Sequence, residues 1–150
     1  MPDVARLYAK AKRLRSILKS GIGEPPAGSG APEPVTDHLT RIASMALRLR
    51  EVIPAIAQAH RAPLELRIGI ASGPIIGGVI GRRKLVFDVW GDTVNLAARL
   101  ESHGVSGRIQ ISSDLAERLG PRFAVEPREE IELKGFGPVK TAFLTGERLL

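Results

Sequence analysis

Asp88, Asn95 and Arg99 are the residues of this chain whose types and spacing suit one shared piece of chemistry. They lie in the run Phe87-Asp88-Val89-Trp90-Gly91-Asp92-Thr93-Val94-Asn95-Leu96-Ala97-Ala98-Arg99-Leu100-Glu101-Ser102. The run reads as a strand end, a tight turn at Gly91 and a helix that starts at Asp92 or Thr93. Asn95 and Arg99 are four apart, so they share one helix face about 6 Å apart along the axis. Asp88 stands just before the turn and can look into the same space. A carboxylate can read the amino group of a base, an amide can hold a sugar and a guanidinium can meet phosphate. The trio suits a nucleotide.

Residues that converge need elements to hold them. Leu64-Glu65-Leu66-Arg67-Ile68-Gly69-Ile70 alternates strictly and is the clearest strand signal. Ser72-Gly73-Pro74 follows as a turn. Ile75 to Ile80 is apolar but too short to decide between strand and helix. Arg82-Arg83-Lys84 reads as an exposed turn, and Leu85 to Trp90 as a strand. Upstream, Thr36 or Asp37 can cap a helix whose apolar stripe is Leu39, Ile42, Ala43, Ala46, Leu49 and Ile53. Pro54 is expected to kink that helix or end its first segment. Downstream, Arg108–Ser112 reads as a strand and Ser113–Leu119 as a short helix. Phe123–Val125, Glu130–Lys134 and Lys140–Leu144 read as terminal strands. Helices and strands mixed without a regular βαβ repeat indicate an α+β fold.

The first 20 residues form a basic segment with Val4, Leu7, Ala11, Leu14 and Leu18 at helical spacing, which predicts a helix over 3–19. Residues 21–35 read as a loop or linker, since residues 21–34 alone hold four glycines and four prolines. Residues 36–146 form the main domain, and 147–150 a tail. The 150 residues carry a net charge of +6, 43% hydrophobic and 25% charged residues, as an ordinary globular domain does. There is no cysteine, which excludes disulfides and thiolate metal sites and fits a reducing, cytoplasmic setting. No apolar run approaches the ~20 residues of a membrane helix. The basic N-terminal residues lack zinc-finger spacing, and aromatics are 4% of the chain, so no nucleic-acid partner is expected.

From Ala31 to Gly146 the sequence resembles the catalytic domain of class III nucleotidyl cyclases. The resemblance rests on an ordered set of segments: Ala31-Pro32-Glu33-Pro34 with Asp37-His38, Leu66-Arg67-Ile68-Gly69-Ile70, Ser72-Gly73-Pro74, Gly78-Val79-Ile80-Gly81, the 87–102 run, and Leu133-Lys134-Gly135-Phe136-Gly137. It implies the ferredoxin-like cyclase fold, a central antiparallel sheet packed by helices. It also implies conversion of ATP to cyclic AMP and pyrophosphate at sites shared across a dimer, with Mg2+ or Mn2+ as the cations. By the resemblance, Asp88 reads the purine, Asn95 and Arg99 serve the transition state, and Lys134 contacts the terminal phosphates. An acid at position 88 points to adenine, because guanine presents a carbonyl there. Lys19 matches the base-reading lysine by its count to Ala31, although Gly23, Glu24 and Pro25-Pro26 replace the strand expected after it.

The opening strand of the family, with its two metal-holding aspartates, finds no match. Asp3 is the only Asp before Asp37 and stands outside any such motif. The expectation is therefore a cyclase domain lacking its opening strand and metal-site region, with no metal ligands of its own. It would be inactive alone, as a homodimer too, and would work only in a heterodimer with a cyclase chain that supplies the metals. Two alternatives stand beside it: a non-catalytic module that binds a nucleotide or a regulatory partner, and a frame-disrupted remnant.

Overall fold

The alternation around Ile68 decides the architecture. A computed structural model describes residues 3–12, 27–29, 37–61, 65–74, 76–82 and 86–149, with 3–12, 27–29, 65, 77 and 86–89 as backbone. In it β3 spans Glu65–Pro74. Leu66, Ile68 and Ile70 point to one side and are buried with Ile42, Ala43, Ala46, Leu47 and Ile53 of α1 (His38–Ala59). Gly69 and Ala71 face the other side, where α2 (Asp92–Ser102) lies. A strand sends successive side chains to opposite faces, so the two helices cover opposite faces of the sheet.

The remaining elements are β1 (Asp3–Lys12), β2 (Ala27–Ser29), β4 (Ile76–Ile80), β5 (Val86–Trp90), β6 (Ile109–Ser112), α3 (Ser113–Leu119), β7 (Phe123–Leu133) and β8 (Gly137–Glu147). The main sheet has six strands in the order β2-β1-β3-β6-β8-β7, and β4 and β5 form a separate two-stranded ribbon. β3 and β6 run parallel, joined through the ribbon and α2, and the other neighbours are antiparallel. The result is the mixed α+β fold expected.

Several local expectations are corrected. Residues 3–12 form a strand rather than the predicted helix, and an opening strand therefore stands where none was expected. Ala5, Leu7, Ala9 and Ala11 also satisfy a period of two, and ten consecutive registered pairs with β3 outweigh a helix that would stand alone. Pro54 does not end α1, which continues to Ala59. Pro54 is exposed, so its missing N–H lies on the outer side, while Ile53 holds the helix to the core. Asp37 forms no side-chain cap, because its carboxylate pairs with Arg41 Nε at 2.8 Å.

Ser72-Gly73-Pro74 is the end of β3, not a turn, since β1 pairs with it through Pro74. Ile76–Ile80 resolves as strand. The two segments expected at 123–125 and 130–134 are one strand, β7, with irregularities at Ala124/Val125 and Arg128/Glu130. Pro127 fits within it because β7 is an edge strand and needs no second partner. The shift at Ala124/Val125 leaves Thr145 of β8 without a register partner. Arg50 of α1 donates to the carbonyl oxygens of Leu144 (3.3 Å) and Thr145 (2.9 Å). No helix among the described residues is long and apolar enough to cross a membrane.

Candidate functional site

α2 begins where β5 turns over Gly91, whose φ of 133° only glycine adopts without strain. The helix has no side-chain cap, but Asp92 in its first turn and Arg99 in its last complement its dipole. Thr93, Ala97, Leu100 and Glu101 are buried, and these positions form the face against the sheet. Asn95 and Arg99 fall on the outer side, Asn95 exposed and Arg99 half-buried. Among the described residues neither side chain makes a hydrogen bond or ion pair, so both remain available.

The inner face of α2 is fixed at three points. At the start, the Thr93 hydroxyl donates to the Pro74 carbonyl at 2.8 Å. In the middle, the helix backbone lies directly on Gly69, where an added Cβ would meet Glu101 N at 2.3 Å and Ala97 O at 2.4 Å. At the end, Arg67 Nε donates to the buried Glu101 Oε1 at 2.8 Å. Sequence reasoning overlooked these residues. The signal available was a glycine inside an alternating strand, a mark of close backbone approach.

Lys134 is exposed in the turn between β7 and β8. Gly135 and Gly137 have φ of 89° and 72°. Next to Lys134, Leu133 is fully buried with Ala71, Ala97 and Leu100, and Leu96 and Phe136 pack against that cluster. The neighbours of Asn95, Arg99 and Lys134 thus share one small core, which ties this turn to α2. Asp88 stands at the middle of β5, opposite Gly78 of β4. Lys19 lies outside the described residues.

Two clefts of the described surface lie elsewhere. One of 430 Å³ lies beside Arg122, Glu147 and Arg148, and one of 320 Å³ between Ser44 and Glu147. Neither is lined by Asn95, Arg99 or Lys134. No group of three or more His, Asp or Glu among the described residues could hold a metal ion.

Among the described residues, the β4–β5 ribbon exposes four large apolar side chains. Ile76, Val79, Ile80 and Trp90 are 58%, 62%, 53% and 40% exposed. Ile76 and Ile80 are on one face of β4 and Val79 on the other, so both sides of a two-stranded ribbon present apolar groups to solvent.

A model of the adenylate and guanylate cyclase catalytic domain matches residues 26–146. An adenylate cyclase of Mycobacterium tuberculosis (strain ATCC 25618 / H37Rv) is 39% identical over 121 residues, 81% of this chain and 27% of that protein. The soluble guanylate cyclase subunit beta-2 of Rattus norvegicus is 38% identical over 148 residues, 92% of this chain and 21% of that protein. The chain spans less than a third of the length of these curated relatives. The guanylate cyclase domain of RhGC from Catenaria anguillulae, solved in complex with GTP, superposes with a TM-score of 0.84 at 25% identity, covering 98% of each chain. The adenylyl cyclase CyaB of P. aeruginosa superposes at 0.83 with 19% identity over 97% of this chain and 95% of that one, a likeness of fold.

Proposed function

This chain belongs to the family of adenylate and guanylate cyclase catalytic domains, and from that premise we propose that it supplies one half of a cyclase site that forms cyclic AMP from ATP. In the reaction the ribose 3′-oxygen attacks the α-phosphorus of the same nucleotide. The hydroxyl proton is lost, the bond from α-phosphorus to the bridging oxygen breaks, and pyrophosphate leaves. The Asn95 amide orients the ribose, and the Arg99 guanidinium meets the negative charge that builds on the phosphoryl oxygens. Lys134 holds the terminal phosphates. Asp88 accepts from the adenine amino group and disfavours the guanine carbonyl. Lys19, by its count to Ala31, is assigned to the same base.

The observation that carries this reading is the outer face of α2, where Asn95 and Arg99 stand one turn apart, unengaged by any described residue, on a helix fixed to the sheet. The partner is a second cyclase chain. The ribbon of β4 and β5 supports such an interface, since Ile76 and Ile80 on one face of β4 and Val79 on the other are exposed. The Mg2+ or Mn2+ that the family uses would be held by that chain, and no step is assigned to metal ligands here. The absence of cysteine fits action in the cytoplasm.

The test is complementation. The purified chain alone makes no cyclic AMP from Mn-ATP. Mixed with a metal-competent cyclase domain whose own Asn/Arg pair is disabled, it restores cyclic AMP formation. Restored cyclic GMP from Mn-GTP instead would overturn the assignment of Asp88 to adenine. Nucleotide binding without turnover in the mixture would overturn the half-site reading in favour of a binding module.

A further inference from the structure

Asn95 and Arg99 can act only if α2 presents them at a fixed roll and height, and one buried contact sets both at the end nearer Asn95. Thr93 is 6% exposed and is among the few buried polar residues described. Its hydroxyl donates to the Pro74 carbonyl at 2.8 Å. It reaches that oxygen across Gly73, where an added Cβ would lie 2.6 Å from Thr93 Oγ1. The donor and the gap it passes through form a matched pair.

We infer that Thr93, seated over Gly73 and bonded to the Pro74 carbonyl, is a positioning residue that sets the first turn of α2 and thereby the placement of Asn95 relative to Arg99. The inference rests on the proposed half-site. Helix propensity does not explain the threonine, since a β-branched residue in a first helical turn is no better a helix former than most alternatives. Nor does burial alone explain it. A buried hydroxyl costs stability unless it is bonded, and valine would fill the same volume without that demand. The hydroxyl contributes direction. Gly69 and the Arg67–Glu101 pair hold the middle and end of the helix, so losing the first contact lets the first turn swing while the rest stays seated. Asn95, two residues on, moves with it; its N–H bonds back to Gly91 at 3.2 Å within that turn.

Two measurements on the full chain test this. In the complementation mixture with Mn-ATP, T93V should lower kcat at least about 10-fold while KM stays within about twofold, since the lost placement acts in the transition state. T93S, which keeps the hydroxyl, should retain turnover within about threefold of the parent, and G73A, which pushes the hydroxyl away, should lose it as T93V does. Hydrogen exchange provides a readout independent of turnover. T93V and G73A should speed exchange of the amides at 94–96 and leave α1 unchanged. A folded T93V chain with parental kcat, or with unaltered exchange at 94–96, overturns the inference. If the parent mixture itself has no turnover, the half-site reading fails, and exchange alone then decides whether Thr93 fixes the helix.

Discussion

Arg67 of β3 and Glu101 of α2 form an ion pair with Nε to Oε1 at 2.8 Å, in which the carboxylate side chain is 7% exposed and the guanidinium 35%. The two are not equally replaceable. Removing the arginine leaves a buried charge without its partner, whereas removing the acid leaves a cation that can turn to water. R67A should therefore destabilise the chain by about 2 kcal/mol, less than a fully buried pair would lose because the arginine is partly solvated, and E101A by less. Urea denaturation of the two variants checks the order.

Gly69 sets the distance between sheet and helix. The atoms a Cβ would meet there are backbone, Glu101 N and Ala97 O, so no side-chain rotation relieves the clash. G69A should cost about 3 kcal/mol, at the upper end for overpacking, and should abolish complementation by lifting the whole of α2. Thermal unfolding together with the mixed assay reads both effects.

How far the sequence alone revealed this arrangement differs from element to element. Alternation over Leu64–Ile70 and the helical spacing from Asp92 to Ser102 were legible because local period and tertiary burial agree there. The first strand was not legible. Val4, Leu7, Ala11 and Leu14 fit a helix as well as Ala5, Leu7, Ala9 and Ala11 fit a strand, and only pairing with β3, more than 50 residues away in sequence, separates the two. The single strand from Phe123 to Leu133 was hidden by Pro127, whose tolerance depends on an edge position that local sequence does not encode. Asn95, Arg99 and Lys134, the residues proposed for the site, were readable as positions in the motif runs. The residues that hold them, Gly69, Gly73, Thr93 and Leu133, were not, because their roles consist of approaches between distant segments.

N95A and R99A should each lower kcat in the complementation mixture about 100-fold, the scale for losing one group that stabilises developing charge. Both side chains lie on the outer face of α2, so melting temperature should stay at the parental value. A variant that loses turnover and melting temperature together would point to a structural role instead.

Glu147 gives the fold a pH dependence whose sign is fixed. The Ser44 hydroxyl, donating at 2.8 Å, and then Arg122 hold its carboxyl below the ordinary value of 4.5. A lowered folded-state value means the contribution is present above about pH 4.5, where the unfolded chain is also ionised, and is lost as pH falls through the lower folded value. The melting temperature of the parent should exceed that of E147Q at pH 7, and the gap should close on acidification below pH 4.5. A gap that widens toward acid pH would contradict this account of the Ser44–Glu147–Arg122 clasp.

V79K and I80K place charge on opposite faces of the β4–β5 ribbon. If the ribbon docks on a second cyclase chain, each should weaken association in sedimentation velocity by at least about 10-fold, whereas a lysine at exposed Val125 on β7 should not.

Trp90 is the single tryptophan of the chain, and it lies at the root of that ribbon with its ring against Gly78, 3.3 Å from where a Cβ would stand. All indole emission therefore originates from one place, between the ribbon and the first turn of α2. A blue shift on mixing with another chain would report, without any label, that the indole has left water, and an unchanged spectrum would mean that the ribbon root stays wet.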